Sequence, residues 1–468
     1  MTQKVSTTLR DSKTARWFVL VLVSFTMLCM YYLTDSMAPL QERLQANLSW
    51  SATDYGIFTS GYGWFNVFLL MLVFGGMILD KMGIRFTGIL AIVIMLIGAG
   101  IKYWAISGHF EGMTELSIGS WQIIAPKAKS AVMAGLGFGV FGMGCEMFGI
   151  TANKAVVRWF RGKEMALAIG LNTSTGRIGT ALAMFTPVPL VKMTGNLSMP
   201  IIVALIMLCV ALMVFIVFVF FDRKLDAEDA EAGIKNDSEF KFSDIVDIAK
   251  NRTFWFIAIL CVLFYSAVLP FIKYATGLII QKFGISEVFA GYIPALLPLS
   301  ALFLTPFFGS LYDKKGKGAT IMIIGSVILL FVHLLFAIPS LNSLPVAIGL
   351  VVLLGIAFSL VPSAMWPSLA KIIPEEKLGT AYAMTFWVQN WGLMGVPLLI
   401  GFVLDKYCVI GQMIKVVDDT EQVIPLYNYT LPMLIFACFG VLAILFAILL
   451  KKEDKRKGYG LEEPNIKS

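Results

Sequence analysis

Charge is the scarcest ingredient of this 468-residue chain: Asp, Glu, Lys and Arg make up 14% of it, against about 25% in an ordinary soluble protein. That shortage excludes a soluble enzyme. Only 2 histidines occur, and the 6 cysteines (Cys29, Cys145, Cys209, Cys261, Cys408 and Cys438) stand singly, with no CxxC and no Cys/His spacing. Neither a disulfide framework nor a metal site is signalled. A Gly-x-x-x-x-Gly-Lys-Ser/Thr loop is also missing, so ATP is not the direct driver and no cofactor is implied. The net charge of +7 is spread over many short connections, which makes a bilayer and a small molecule, not nucleic acid, the expected partners.

Apolar residues fill the space left by charge, at 58% of the chain and a mean hydropathy of +0.81. Runs long enough to span a bilayer at roughly 20 residues each occur at 17–38, 54–79, 86–107, 130–156, 164–191 and 198–221. Six more follow at 253–278, 285–312, 318–339, 344–371, 379–404 and 429–450. The spacing predicts an all-α membrane protein of twelve spans in two six-helix bundles, 1–221 and 253–450. A charged linker, 222–252, joins them and a tail, 451–468, follows. The acidic run Asp226, Glu228, Asp229 and Glu231 reads as solvated linker, and Ser243 as the cap of a short amphipathic helix. Of the 37 lysines and arginines, 27 fall on the side of the chain ends and 8 on the other, so the positive-inside rule predicts cytoplasmic termini. Lys102, near the end of the run 86–107, is counted with those 8, and the remaining 2, Arg177 and Lys273, are counted as lying within the runs.

One loop spelling recurs. Gly76-Met-Ile-Leu-Asp80-Lys81-Met-Gly83-Ile-Arg85 follows the second run, and Gly309-Ser-Leu-Tyr-Asp313-Lys314-Lys-Gly316-Lys317 follows the eighth; a fragment, Gly401-Phe-Val-Leu-Asp405-Lys406, ends the eleventh. Duplicated halves are a mark of transporters that rock about a central site. Glycine permits a tight turn, an Asp at a helix end suits the positive N-terminus of a helix from the other half, and the basic residues hold the loop at the surface. The loop is expected to act as a conformational latch.

Ionisable residues inside spans are costly, about 2.5–3.5 kcal/mol each at the centre of a lone helix, and so mark function. Asp35, Glu146, Arg177 and Lys273 are the candidates. Glu146 and Arg177 lie on glycine-rich helices able to approach closely, and together they suit a zwitterion, or else form a structural salt bridge. Lys273 is a possible second carboxylate receptor, or it pairs with an acid. Tyr265 and Trp391 are the first aromatic candidates for the cavity wall, and Gln389 and Asn390 are amides able to bond a peptide group. His333 reads as a packed histidine.

The repeated loop resembles motif A of the major facilitator superfamily, in which the motif Asp helps to close the cytoplasmic side. Trp159-Phe160-Arg161-Gly162-Lys163-Glu164, the stretch from Gly170 through Asn172, Ser174, Gly176, Arg177 and Gly179, Met365-Trp366-Pro367-Ser368 and Leu378-Gly379-Thr380-Ala381-Tyr382 resemble one branch of it. That branch holds lysosomal dipeptide uniporters and their prokaryotic relatives. The resemblance implies facilitated diffusion of dipeptides, with Glu146 and Arg177 as acidic and basic substrate contacts and no role assigned to Asp35. The tails carry no dileucine sorting pattern, which points to a cell membrane rather than a lysosome, and a monomer is expected. An organic-anion exchanger of the oxalate/formate type, with Arg177 and Lys273 receiving a dicarboxylate, is the alternative. A transport-inactive sensor or scaffold is a third reading.

Overall fold

The computed structural model describes residues 9–118, 121–161, 163–231, 242–417 and 420–465. Residues 232–241 of the predicted linker, Gly162 of the quoted motif and 466–468 of the tail lie outside them. The helices are α1 (Lys13–Asp35), α2 (Gln41–Leu48), α3 (Ala52–Phe68), α4 (Met71–Ile106), α5 (Lys129–Trp159), α6 (Met165–Phe185), α7 (Pro187–Thr194) and α8 (Met199–Glu231). Then come α9 (Phe242–Ala249), α10 (Arg252–Phe283), α11 (Glu287–Lys315), α12 (Gly318–Ala337), α13 (Leu344–Ile372), α14 (Leu378–Tyr407) and α15 (Thr430–Lys457). Their ends follow local chemistry. The Asn251 side chain accepts from the first amides of α10, while Gly195, Gly284 and Gly458 take left-handed conformations that end α7, α10 and α15.

Ten helices are long and apolar enough to cross a membrane. Two of the expected twelve do not appear as such helices: α3 stops after 17 residues, and α6, 21 residues long, carries polar residues including Asn172 and Arg177. Run 54–79 is divided between α3 and α4 at Leu70, which has a left-handed backbone (φ 52°), and run 164–191 is divided between α6 and α7 at Pro187. The first motif loop bends α4 at Gly83 (φ 79°, ψ 173°), a conformation that favours glycine. The spanning part is all-helical, but two antiparallel hairpins were not anticipated: β1 (Met113–Ile118) with β2 (Trp121–Ala128), and β3 (Val409–Val417) with β4 (Thr420–Tyr427). They fall in stretches too polar to register as apolar runs.

Two further expectations are corrected. The start of the linker is not a solvated loop, because α8 runs on to Glu231. Asp226 and Asp222 join Arg85 and Arg158 in an ion-pair network, and Glu228 accepts from the Leu9 amide at 2.6 Å. Ser243 lies inside α9 rather than capping it.

Both described chain ends lie on one face, here the terminal face: Asp11 pairs with Lys163, and the Glu462 carboxylate binds the Thr320 amide. The hairpins mark the opposite face. There the earlier and later parts of the chain are tied together. Arg43 pairs with Glu287 at 2.7 Å, Lys415 with Glu42 at 2.5 Å and Lys273 with Asp35 at 2.6 Å. On the terminal face the bonds run within each part instead, as in Asp80 with Lys154 and Asp313 with Asn465. The fold is closed on the hairpin side.

Candidate functional site

Small residues decide how near the site helices come. A Cβ on Gly142 would sit 2.3 Å from the Tyr62 carbonyl oxygen, and one on Gly179 2.3 Å from that of Leu28. Helix α5 therefore packs backbone to backbone on α3, and α6 on α1, as the glycine pattern predicts. Glu146 is carried on the first contact and Arg177 on the second.

The two charges are not joined as an ion pair. The Tyr62 hydroxyl donates to Glu146 Oε1 at 2.9 Å, and Asn390 Nδ2, reaching across from α14, donates to the same oxygen at 3.4 Å. Arg177 instead lays its guanidinium over the Phe358 ring, 4.5 Å from the centroid, a cation–π contact. Tyr265 meets the same ring edge-on at 5.9 Å, and Trp366 Nε1 donates to the Tyr265 hydroxyl at 3.4 Å. Tyr31 is near both groups. Its ring lies 2.6 Å from where a Cβ on Gly176 would be, and Arg177, Glu146 and Tyr265 are electrostatic neighbours of its hydroxyl. Glu146 and Arg177 are each half-buried in mid-helix.

Other expected site residues are distributed differently. Gln389 and Asn390 are both buried; Asn390 also accepts from Asn66 at 3.4 Å, while Gln389 Oε1 has no hydrogen-bond partner among the described residues. Trp391 departs from expectation. It is 45% exposed, with Phe68 and Trp387 as its ring partners, because its helix position faces outward beside α3. Lys273 is not free to receive a second carboxylate: its ammonium binds Asp35 and the Thr34 carbonyl, both at 2.6 Å. His333 is packed between Phe271 and Phe436, with Nε2 3.1 Å from the Ala267 carbonyl.

Three residues of interest were not singled out as such in the sequence. Phe358 is one of 36 phenylalanines and carries no distinguishing spacing. Lys102, counted among the outer connections, is instead completely buried, so the spans hold more cations than Arg177 and Lys273. Asp405 takes the part foreseen for Asp80 and Asp313. Its carboxylate accepts from the Ala52 and Thr53 amides at the N-terminus of α3, at 2.9 and 2.6 Å. A Cβ on Gly401, one turn earlier, would sit 2.3 Å from the Ala52 oxygen.

The motif loops themselves are latched locally in this state. Asp80 pairs with Lys154 at 2.6 Å and Arg85 with Asp226 at 2.5 Å, both within the first part of the chain. Lys81 and Lys314 are exposed, and nothing crowds Gly76 or Gly309. The second loop is occupied by the chain's own tail: Asn465 donates to Asp313 at 2.7 Å, and Gly316 (φ 67°) lies against Glu463. No group of three or more His, Cys, Asp or Glu side chains among the described residues is arranged to hold a metal ion.

The paired helices, the mid-membrane charges and the repeated loops agree with one family model, that of the Major Facilitator Superfamily, which matches residues 20–397. The chain belongs to the Major Facilitator Superfamily. Within this superfamily it is 28% identical to human "Lysosomal dipeptide transporter MFSD1" over 401 residues, covering 84% of this chain and 80% of that one. It is also 28% identical to "Inner membrane transport protein YdiN" of Escherichia coli over 165 residues, 34% of this chain and 38% of that protein. Among solved structures, a bacterial homologue of the human lysosomal transporter Spinster, in an inward-facing and unoccupied conformation, superposes with a TM-score of 0.66. It shares 15% identity and covers 95% of this chain and 98% of its own, a likeness of fold. The protein is thus a multi-pass membrane transporter of the superfamily.

Proposed function

We propose that the protein is a secondary transporter of small zwitterions, dipeptides foremost, working by alternating access between residues 1–221 and 253–450 joined by the linker 222–252. Twelve spans with cytoplasmic termini belong to the same proposal. The preponderance of basic residues on the terminal face supports that orientation, and with it the state described above is inward-facing.

One observation carries the substrate class: Glu146 and Arg177 both lie near Tyr31 without pairing with each other. A carboxylate suits the planar fork of Arg177, which has only an aromatic face beneath it, and an ammonium suits Glu146 beside Tyr62 and Asn390. Gln389 Oε1, buried and unbonded, offers an acceptor to a peptide N–H. The name of the human relative, a dipeptide transporter, supports the same reading. A dicarboxylate exchanger needs a second free cation, and the engagement of Lys273 by Asp35 weighs against it. The relatives' lysosomal names remove the preference for a cell membrane drawn from the tails, and the proposal is residence in a membrane of either kind.

A ligand panel in detergent tests the substrate class. A ligand at 100 times its Kd stabilises the protein that binds it by about 2.7 kcal/mol, so dipeptides are expected to raise the unfolding midpoint. N-acetylated dipeptides and dicarboxylates are expected to leave it nearly unchanged. Stabilisation by dicarboxylates alone overturns the proposal.

A further inference from the structure

Asp35 ends α1 and Lys273 lies in mid α10, so their ion pair crosses the seam between the two parts of the chain on the hairpin side. Alternating access, the reading on which this inference rests, requires that seam to open. Opening separates the pair. A buried carboxylate stripped of its cation is strongly destabilising, so an open state needs something to take the place of Lys273.

Lys102 is in position to do so. It belongs to α4, in the same part of the chain as Asp35, and it is 0% exposed. Its amine donates to the Leu33 carbonyl at 3.3 Å, two residues from Asp35, and has no other hydrogen bond among the described residues. It lies over the rings of Phe58 and Phe138, at 5.1 and 4.5 Å from their centroids, and Lys273 approaches the same Phe138 ring at 5.6 Å. Asp35 and Lys273 are its electrostatic neighbours. The cluster therefore holds two lysine side chains around one carboxylate, with the hydrogen bond going to the one across the seam. A buried lysine amine satisfied by one carbonyl and two aromatic faces is an expensive arrangement, unless another state uses it more fully.

We infer that Asp35 exchanges cations as the transporter cycles: Lys273 holds it across the seam while the hairpin side is closed, and Lys102 holds it within its own part once that side opens. Lys102 is then a positioning residue, acting through Asp35. Without the exchange it is only a post that ties the last turn of α1 through the Leu33 carbonyl. The two roles differ in what removal of each lysine does to the balance of states.

The test measures distances on the hairpin face by double electron–electron resonance, in the full chain in nanodiscs without substrate. Spin labels are placed at Met193→Cys and Ser340→Cys, with the exposed Cys209 and Cys438 replaced by serine. Lys273→Met is expected to enrich the long-distance, open population, because only the closed state loses its partner. Lys102→Met is expected to deplete it, and Lys102→Arg to restore the wild-type balance. Each shift is about tenfold or more in the ratio of states. Shifts in the same direction, or a Lys102→Met protein that is merely less heat-stable with an unmoved balance, overturn the exchange. Should Lys102→Met fail to fold, Lys102→Gln takes its place; failure of both makes Lys102 a post of the closed state and also overturns it. A wild-type protein with a single distance under all conditions, saturating dipeptide included, contradicts alternating access itself. Two populations that answer to Lys273→Met but not to Lys102→Met contradict the exchange alone.

Discussion

Arg177→Ala is expected to weaken dipeptide binding by between about 30-fold and several thousand-fold, the equivalent of roughly 2–5 kcal/mol for truncating one side of a desolvated charge pair. The size of the effect follows from the setting of the guanidinium. It lies over Phe358, with no carboxylate ion-paired to it among the described residues, so the ligand's carboxylate supplies its compensation. Arg177→Lys keeps the charge but not the planar fork, and should fall between wild type and alanine. Glu146→Gln is the companion change. It preserves shape, leaving Tyr62 and Asn390 in place, and removes only the charge expected to meet the ammonium. An N-acetylated dipeptide, which has no ammonium, should bind the wild type weakly and lose nothing further on Glu146→Gln, whereas a free dipeptide should lose at least tenfold by isothermal titration, or about 1.4 kcal/mol. Equal losses for both ligands would show that Glu146 acts on the fold and not on the ammonium.

The second large effect is expected at Asp405. Helix α3 begins with three amides that must find acceptors. Ser51 serves that of Asp54 through a capping box, while Ala52 and Thr53 donate to Asp405 at the end of α14. Tyr427 of β4 adds a hydrogen bond to the same carboxylate at 3.2 Å. One side chain thus joins a helix N-terminus, a helix C-terminus and a hairpin, and it does so across the seam. A charge at a partly buried helix end is worth up to about 2 kcal/mol. Asp405→Asn is accordingly expected to raise the open fraction on the hairpin side by about 5–30-fold, read as faster alkylation of a cysteine placed at the buried Thr59. If Asp80 closes the terminal face as the proposed latch role requires, Asp80→Asn is expected to slow it. An unchanged rate in Asp405→Asn would reduce that contact to a local cap.

Much of the fold was legible because bilayer chemistry allows few solutions. Long apolar runs, short basic connections and a duplicated loop left little besides paired helical halves, and the glycines beside Glu146 and Arg177 foretold the close approaches that bring both charges inward. Breaks within runs were harder to see. Leu70 has no chemical mark of its left-handed backbone, and Pro187 is one of 18 prolines, several of which the helices tolerate in their interiors. The hairpins escaped because short strands between spans carry no long-range signal. At the site, each charge was legible by its cost, but its partner was not. Whether Glu146 met Arg177 or Tyr62, and whether Lys273 was free or held by Asp35, depended on contacts between residues from 84 to 238 positions apart. Lys102 was misassigned because its place near the end of the run 86–107 put it with the outer connections, whereas packing of α4 against its neighbours buries it completely. Asp405 was noticed as a motif fragment, yet its role emerged only when the start of α3 was seen beside it.

The central claim, transport of a zwitterion between two alternating openings, is tested most directly by uptake into proteoliposomes containing the full-length protein. A labelled dipeptide should enter in a saturable manner without ATP, be displaced by unlabelled dipeptides and not by dicarboxylates, and fail to enter with Arg177→Ala. Parallel runs with and without a pH gradient determine whether protons accompany it. Saturable exchange of dicarboxylates that no dipeptide competes, or dipeptide uptake that survives both Arg177→Ala and Glu146→Gln, would contradict the account.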